Sequence, residues 1–167
     1  MSEKSPEDLA IEARVRAALE AVADSFEVLP CDPALADTAA FCAHYGVDPS
    51  ESANTIVVAS KKEPKRYAAC LVLATTRLDV NHAVRALLDN AKLSFASGEE
   101  TSALTGMTMG GVTVFGLPPD LPVFIDSAVL SARTVVVGGG SRSMKIRLAP
   151  EALSRIPNAR VIEGLAR

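Results

Sequence analysis

The densest group of residues that could perform chemistry lies at positions 105–126, in the sequence TGMTMGGVTVFGLPPDLPVFID. It holds four glycines followed by three prolines, at positions 106, 110, 111 and 116 and then 118, 119 and 122. Glycine lets a ligand approach the backbone because it has no Cβ, and proline stiffens the chain that follows. The pair Gly110-Gly111, leading into a predicted strand at 112–115, therefore predicts a rigid backbone cradle whose N–H groups can face a ligand. The alternative is an ordinary turn followed by a proline-rich connection.

A second glycine run, Gly138-Gly139-Gly140, follows another predicted strand. Residues 144–148 again have the pattern of a strand, so no phosphate-binding helix N-terminus follows the glycines, and a turn is favoured over a ligand loop. Arg142, Lys145 and Arg147 form a basic group beside this run. Because side chains alternate along a strand, Lys145 and Arg147 are expected to share one face.

The usual catalytic side chains are sparse. The two histidines, His44 and His82, fall late and early in predicted helices, where solvated positions are common, so no Ser-His-Asp triad is predicted. Cys31 follows a predicted strand, but no activating partner is evident, and a buried or incidental thiol is favoured over a nucleophile. With no CxxC pair and no Cys/His cluster, neither a metal nor an organic cofactor is expected.

Composition narrows the class of protein. The chain has 167 residues, of which 49% are hydrophobic, and its mean hydropathy is +0.22, which indicates a globular domain rather than a disordered chain. The apolar runs are too short to cross a bilayer, and the N-terminal residues lack the apolar core of a signal peptide. Three irregularly spaced cysteines predict no disulfide framework, which favours a reduced, cytoplasmic protein without membrane association.

Charge limits the binding partners. A net charge of −3 argues against a protein that coats nucleic acid, and the absence of Trp argues against a broad base-stacking platform. Contact with one nucleic-acid end through a local patch stays open. The sequence KKEPKR at 61–66 is typical of a solvated hairpin tip, and it becomes relevant only if a polyanion docks beside the glycine cradle.

Local signals predict the elements that must position these residues. Ser5 and Pro6 open a helix, and Asp37 and Gly46 are the predicted cap and stop of another. Helices are expected at residues 6–23, 37–45, 80–89, 99–104 and 149–156. Strands are expected at residues 26–30, 54–60, 67–74, 93–96, 112–115, 123–125, 134–137, 144–148 and 160–162. The strands at 54–60 and 67–74 flank the charged turn, which predicts an antiparallel hairpin.

The order of these elements indicates the fold class. Strands outnumber helices and do not alternate regularly with them, so the prediction is α+β rather than a doubly wound sheet. No repeat, low-complexity segment or linker divides the sequence. We therefore expect a single domain over residues 1–167, with the helix at 6–23 as an N-terminal extension.

Taken in order, the segments resemble the YbaK/ProX family of aminoacyl-tRNA editing domains, also inserted in bacterial prolyl-tRNA synthetases. The resemblance runs from about residue 26 to residue 153 and rests on YGVDP, the hairpin NTIVVAS with YAACLVLATTRLDV, the run at 105–126, and VVVGGGSRSMKIRLAPEAL. It implies a compact α+β domain around a mixed, strongly curved, barrel-like sheet with flanking helices.

The resemblance also implies hydrolysis of the ester that joins a wrong amino acid to the 3′-terminal adenosine of tRNA. Binding alone distinguishes small side chains by only about 1–3 kcal/mol per methylene, which is why such editing is needed. The reaction requires a water or ribose hydroxyl at the ester carbonyl and donors for the developing oxyanion, a task suited to the N–H groups of a Gly-Gly turn. By resemblance, Gly110 and Gly111, and Gly111 above all, lie at the substrate carbonyl.

Two positions depart from the family pattern. Deacylases of the family carry a lysine at the start of the first hairpin strand, where this chain has Asn54. The cysteinyl-tRNA branch carries an acidic residue after the glycine run, where this chain has Lys145. We hypothesise that Lys145 supplies the positive charge that Asn54 lacks, so that the pocket still binds the phosphate of the terminal adenosine or the amino ester. The alternative is that both substitutions mark an inactive or repurposed homologue.

The resulting expectation is a trans-acting deacylase that removes a mischarged small amino acid from tRNA. The expected catalytic residues are Gly110, Gly111, Asn54 and Lys145, and the expected substrate-binding residues are Thr105, Gly106, Gly139 and Asp126. Asp126 is also expected to cap the turn that follows it. Two other interpretations stay open: a non-catalytic homologue that binds aminoacyl-adenosine or a related nucleotide, and a protein that docks on a synthetase or the ribosome.

Overall fold

The computed structural model describes residues 3–167, which form eight strands and five α-helices joined by short turns of other helix types. The strands are β1 (Phe26–Pro30), β2 (Ala53–Ser60), β3 (Tyr67–Leu73), β4 (Leu93–Phe95), β5 (Val123–Asp126), β6 (Val135–Gly138), β7 (Met144–Leu148) and β8 (Ala159–Ile162). The α-helices are α1 (Pro6–Val22), α2 (Thr38–Tyr45), α3 (Arg85–Leu87), α4 (Gly98–Thr105) and α5 (Ser127–Leu130). Three 3₁₀ helices span Pro33–Leu35, Pro49–Glu51 and Pro150–Arg155, and a π-helical turn spans Val80–Val84.

The strands form two sheets. One is antiparallel, in the order β1-β7-β6, and the other is mixed, in the order β4-β2-β3-β5-β8. A parallel bridge between Ser52 and Val136 joins the sheets, and beyond it β2 and β6 exchange no ladder hydrogen bonds within the described residues. The predicted α+β class is therefore confirmed, whereas a single strongly curved, barrel-like sheet is not, because the strand order does not close.

The hairpin between β2 and β3 is confirmed, with register pairs from Ala53 and Leu73 to Ala59 and Tyr67. The predicted strand at 112–115 is wrong. Those residues are buried in an irregular segment that pairs with no strand, so their β-branched and aromatic side chains reflect core packing instead.

Helix α1 is part of the core, although the sequence indicated an extension. The Ser5 side chain accepts a hydrogen bond from the Asp8 N–H, as expected for an N-cap followed by proline. Val15 and Leu19 from this helix are fully buried in the main apolar cluster. Helix α1 therefore stabilises the domain and covers the glycine-rich turn at 138–140.

Both faces of the five-stranded sheet are apolar. Along β2, Val57 belongs to the main core between the sheets and α1, whereas Val58 belongs to a second cluster on the opposite face. The second cluster is covered by the segment that includes Leu78, Val84 and Leu88. Because side chains alternate along a strand, Asn54 and Ile56 lie on the same face of β2 as Val58. In the described part of the chain, no helix is long and apolar enough to cross a membrane.

Candidate functional site

A cavity of about 250 Å³ lies where β2 and β6 face each other, beyond the bridge that joins the sheets. β3 covers one edge of β2, and β4 pairs with the opposite edge only in its second half, so the first half of that edge lines this cavity. The start of α2 and the turn at 108–111 close the remaining sides. Its lining residues are Asp37, Thr38, Phe41, Ser52, Ala53, Asn54, Thr55, Ile56, Met109, Gly110, Val112, Val136, Val137, Gly138 and Lys145.

The cavity brings together three of the residues that the sequence analysis proposed as catalytic. Asn54 belongs to β2, Lys145 to β7 and Gly110 to the loop after α4, and all three residues line this cavity. Gly111 is not among the lining residues. The structure therefore places Asn54 and Lys145, which lie in distant parts of the sequence, on one cavity.

Lys145 is the cation of this cavity, and only 6% of its surface is exposed. Its Nζ donates hydrogen bonds to the carbonyl oxygens of Ala36, at 2.7 Å, and Gly110, at 2.8 Å. It also lies 5.5 Å from the centre of the Phe41 ring. Burial lowers the pKa of Lys145 from its ordinary value of 10.5, although the neighbouring Cys31 and Asp37 partly oppose this shift. Lys145 thus joins the start of α2 to the glycine turn.

The glycine turn at 108–111 exposes only one of its two glycine N–H groups. The Gly111 N–H donates to the Thr108 carbonyl at 2.8 Å, and Gly110 in the third position has a φ of +91°, as a type II turn requires. Within residues 3–167 the Gly110 N–H donates to no acceptor. The sequence analysis favoured Gly111 as the carbonyl binder, but the geometry favours Gly110, because the Gly111 N–H is already used by the turn.

Arg142 fixes the direction of that N–H. Its guanidinium donates to the Met109 carbonyl at 2.8 Å and to the Pro33 carbonyl at 2.9 Å. Carbonyl and N–H point in opposite directions across a trans peptide, so holding the Met109 oxygen orients the Gly110 N–H. Arg142 also forms an ion pair with Asp37, at 3.3 Å, on the rim of the cavity. The sequence indicated a basic group near the glycines, but not this positioning role.

The second glycine run packs against the first. The Gly140 N–H donates to the Gly111 carbonyl at 2.7 Å, and a Cβ at Gly111 would lie 2.5 Å from the carbonyl of Ser141. A Cβ at Gly138 would collide with the Val112 carbonyl in the same way. Close approach of two backbones therefore explains these glycines, and the prediction of a turn rather than a ligand loop at 138–140 agrees with this packing.

None of the four residues expected to bind substrate lines the cavity, and two of them, Thr105 and Gly106, lie at the end of α4. Thr105 donates from its hydroxyl to the Thr101 carbonyl at 2.7 Å and accepts from the Met107 N–H at 3.0 Å, at the end of α4. Gly106 follows with a φ of +74° and is the C-cap of that helix. Both positions terminate α4, and nothing in the described structure brings them to the cavity.

Gly139 and Asp126 likewise have structural contacts. A Cβ at Gly139 would lie 2.5 Å from the Met144 carbonyl oxygen, so this glycine permits the tight turn between β6 and β7. The carboxylate of Asp126 is buried and accepts from the Leu165 N–H at 3.1 Å. Asp126 precedes α5, but its side chain makes no capping bond there, so the expected cap is instead an anchor for the C-terminal segment.

Asn54 is held by a residue that the sequence analysis missed. The Thr38 hydroxyl donates to the Asn54 side-chain oxygen, across the start of α2 and the start of β2. These two residues also line a second cavity of about 490 Å³, so their hydrogen bond separates two adjacent spaces. Thr55 adds a buried hydroxyl that has no hydrogen-bond partner among the described residues. No spacing signal could have identified Thr38, because only the folded chain brings it to Asn54.

Cys31, His44 and His82 are not among the residues that line the cavity. Cys31 is fully buried, and burial raises the pKa of its thiol although Lys145 opposes the shift, which fits a structural thiol. His44 and His82 are exposed on the surface, as expected. Residues 3–167 contain no cluster of three His, Cys, Asp or Glu side chains that could hold a metal ion.

These groups define what the cavity can do chemically. Phe41, Ile56 and Val112 give it apolar walls, and Asn54 and Gly110, whose N–H is not used within the described residues, are polar groups of the lining. The only acidic residue in the lining, Asp37, is exposed and paired with Arg142. The cavity can therefore enclose a small apolar group and bind a polarised carbonyl, and its lining holds hydroxyl groups but no histidine or cysteine.

Comparison with a family profile identifies a known domain over most of the chain. The profile described as "Aminoacyl-tRNA editing domain" matches residues 32–156. This range includes every residue of the cavity lining and begins after α1. The match therefore covers the structural unit that holds the candidate site.

Individual relatives agree with the profile. A protein of Enterococcus faecalis (strain ATCC 700802 / V583), named EbsC as a candidate Cys-tRNA(Pro)/Cys-tRNA(Cys) deacylase, is 31% identical over 85 residues. That match covers 46% of this chain and 52% of the relative, so it spans about half the relative's length.

Two crystal structures are similar over nearly the whole domain. One, of a protein described as hypothetical, has a TM-score of 0.81 and 25% identity, and covers 92% of this chain and 99% of its own. The other, of a candidate trans-editing enzyme for prolyl-tRNA synthetase, has a TM-score of 0.78 and 25% identity, and covers 96% of this chain and 98% of its own. Both structural matches extend beyond residues 32–156, which the family profile covers, and they show a common fold.

Proposed function

The chain belongs to the aminoacyl-tRNA editing domain family, and we propose that it is a trans-acting deacylase that hydrolyses a mischarged small amino acid from tRNA. The observation that carries this proposal is the convergence of Asn54, Gly110 and Lys145 on one cavity. The substrate would be the 3′ end of an aminoacyl-tRNA, and an aminoacyl-tRNA synthetase is a candidate partner. The proposed site of action is the cytoplasm, in agreement with three free cysteines among the described residues.

The size of the cavity supports a small amino acid. Sites for drug-sized ligands occupy about 300–1,000 Å³, whereas this cavity measures about 250 Å³. It accommodates an aminoacyl group with a short side chain, but not a complete nucleotide as well. The ester would then lie at the mouth, beside Asn54, with the adenosine outside.

The proposed reaction is an ordinary ester hydrolysis. A water molecule attacks the ester carbonyl carbon, and the negative charge that develops on the carbonyl oxygen is stabilised by the Gly110 N–H. The bond from carbon to the ribose oxygen then breaks, that oxygen takes a proton, and the free amino acid and tRNA leave. Because the lining offers no buried carboxylate or histidine, the neighbouring ribose hydroxyl is the group best placed to orient the water.

Lys145 would contribute in two ways. Its positive charge lies next to the carbonyl of Gly110, where it favours negative charge developing in the cavity. Its two hydrogen bonds also hold the glycine turn against the start of α2. This arrangement supports the hypothesis that Lys145 replaces the cation that Asn54 does not provide.

A second candidate function is binding without hydrolysis. The observation in its favour is that Asn54 is uncharged and is already bound by Thr38. A panel of tRNAs mischarged with small amino acids separates the two functions. Release of any one amino acid above the uncatalysed rate supports the deacylase. Tight binding of a non-hydrolysable aminoacyl-adenosine analogue, with no release from any member of the panel, supports the binding protein instead.

A further inference from the structure

Strand β2 leads from the cavity to the charged turn at 61–66. Asn54 at its start lines the cavity, and Val58 in its second half pairs with Phe95 of β4. At roughly 3.3 Å per residue, Val58 lies about 13 Å and Lys61 about 23 Å from Asn54. Since the cavity is too small for a nucleotide, the part of a bound tRNA next to the amino acid must lie outside it. Val58 itself is buried under the segment that includes Leu78 and Val84, so the surface that starts at the cavity mouth is the unpaired edge of β2 at residues 53–56, continued by β4.

Phe95 is an exposed aromatic residue on this surface. It is 61% exposed, more than any other large hydrophobic residue that the described structure leaves on the surface. Directly paired residues lie on the same face of a sheet, so Phe95 shares a face with Val58 and therefore with Ile56, which lines the cavity. A groove of about 730 Å³ beside it is also lined by Arg77 and by Arg167, the latter paired with Asp79 at 3.0 Å. An aromatic ring next to cationic side chains is the combination on which single-stranded bases stack.

A cluster of lysines follows Phe95 in the same direction. The lysine cluster consists of Lys61, Lys62 and Lys92, which are all exposed, and the Lys61 N–H donates to the Lys92 carbonyl at 2.8 Å. Among residues 3–167, none of these three has a carboxylate within 4.0 Å. The neighbouring Arg66, by contrast, is paired with Asp89 at 2.9 Å. Unpaired lysines can bind phosphates without first breaking an ion pair.

We infer that the strip from the cavity mouth across Phe95 to the lysine cluster binds the unpaired 3′ nucleotides of tRNA and the phosphates that follow them. The placement of the aminoacyl end in the cavity rests on the proposed function, whereas the strip itself rests on the exposed ring and the lysines. Bases stack on Phe95, and the lysine cluster binds the backbone. A local patch of this kind is compatible with the net charge of −3.

Charge reversal at the lysine cluster tests the phosphate contacts. We would measure the affinity of Lys61→Glu/Lys62→Glu for uncharged tRNA between low and high salt. The slope of log affinity against log salt should fall by roughly two, about one for each lysine, relative to the wild-type protein. The matched control is Arg16→Glu/Arg133→Glu, which makes the same change in net charge at two exposed positions outside the strip. Equal slopes for the two double variants would overturn the proposal.

Phe95→Ala tests the stacking contact. Loss of one stacked base should weaken tRNA binding about tenfold or more, with little change for an aminoacyl-adenosine analogue that ends before the strip. Leu9→Ala, a truncation of another exposed apolar residue on α1, is the control and should bind tRNA as the wild-type protein does. A change in oligomeric state with unchanged tRNA affinity would instead assign Phe95 to self-association and contradict the proposal.

The two proposals can fail independently. A protein that releases no amino acid but shows the salt slope and the Phe95 effect would refute the deacylase and support the strip. A protein that deacylates tRNA and aminoacyl-adenosine equally well, with neither variant altering tRNA affinity, would refute the strip alone. Thermal unfolding of each variant shows whether a loss of affinity reflects the contact or the fold.

Discussion

The two glycine-rich turns beside the cavity look alike in sequence but have different roles in the structure. The turn at 108–111 places Gly110 on the cavity with an N–H that has no acceptor in the described residues. In the turn at 138–140, a Cβ on Gly138 would meet the Val112 carbonyl and one on Gly139 the Met144 carbonyl, while one on Gly140 would meet side chains of α1. Gly138 also lines the cavity, but its close backbone contact is what requires a glycine there. The comparison teaches that a glycine run can mean space for a ligand or space for another backbone.

The largest effect is expected for Lys145→Ala. This change removes the charge of the cavity and both hydrogen bonds to Ala36 and Gly110, so deacylation should fall at least 100-fold, in the range for loss of one preorganised donor. Arg147→Ala, on the same strand but partly exposed and paired with Glu27, should retain activity. Single-turnover hydrolysis of a mischarged tRNA measures both. Wild-type turnover in Lys145→Ala would show that the lysine has no part in the reaction.

Gly110→Ala should damage the site more than the fold. The new Cβ would lie 3.1 Å from Cζ of Arg142, and the φ of +91° is unfavourable for alanine, so the N–H should shift and activity should fall about 100-fold. The control is Gly164→Ala, which also has a positive φ, +75°, but whose Cβ would have nothing within 4 Å. It imposes a similar backbone strain at a position that does not line the cavity. If both variants lose activity equally, Gly110 has no special role.

Gly138→Ala should have the opposite pattern. Its Cβ would collide with the Val112 carbonyl, so the free energy of unfolding should decrease by about 1–3 kcal/mol, the usual cost of overpacking. Chemical denaturation measures this loss. Because Gly138 also lines the cavity, the folded fraction should lose some activity, but less than Gly110→Ala does. Gly98→Ala, whose Cβ would make an ordinary contact at 3.7 Å, should be neutral. A folded Gly138→Ala protein that loses as much activity as Gly110→Ala would show that the two turns do not differ in role.

A smaller effect is expected for Asn54→Ala. This change removes a neutral hydrogen bond to Thr38 and a neutral donor from the cavity, and a neutral hydrogen bond contributes about 0.5–1.5 kcal/mol. Activity should therefore fall by about tenfold or less. Thr38→Val, which removes only the hydroxyl that holds Asn54, should lose no more than this. A loss as large as that of Lys145→Ala would make Asn54 the principal catalytic group.

The smallest effect concerns pH. Burial lowers the pKa of Lys145 in the folded protein, so between that pKa and 10.5 the unfolded chain binds more protons at this residue. Stability then rises with pH in this window. The free energy of unfolding of the wild-type protein, relative to Lys145→Met, should therefore increase from neutral pH toward 10.5. A difference that is constant with pH would mean that the folded protein does not shift this pKa.

Local signals predicted much of the fold. Strands β1 and β7 have the predicted bounds, and α2 ends before Gly46, whose φ is +70°, as the predicted stop indicated. The helix also begins after Asp37, but the Asp37 side chain makes no capping hydrogen bond and pairs with Arg142 instead. These elements depend on residues close in sequence. The prediction of a strand at 112–115 was wrong because a strand also needs a neighbouring strand to pair with. Burial alone accounts for the apolar composition of this segment. The prediction of a barrel-like sheet was not confirmed for a related reason. Joining the two sheets into one would require β2 to pair with β6, and only the bridge between Ser52 and Val136 links them in the described residues.

Residue types and their order were enough to identify the family resemblance and the α+β class, and they singled out Asn54 and Lys145 as candidate site residues. Only the tertiary structure showed that these two residues share a cavity with Gly110 rather than Gly111. The physical reason is that residue types and capping signals act over a few positions, whereas the site depends on contacts between distant segments. Lys145 reaches Gly110 across 35 positions, and Thr38 reaches Asn54 across 16. Such contacts form only when both sheets pack on one core.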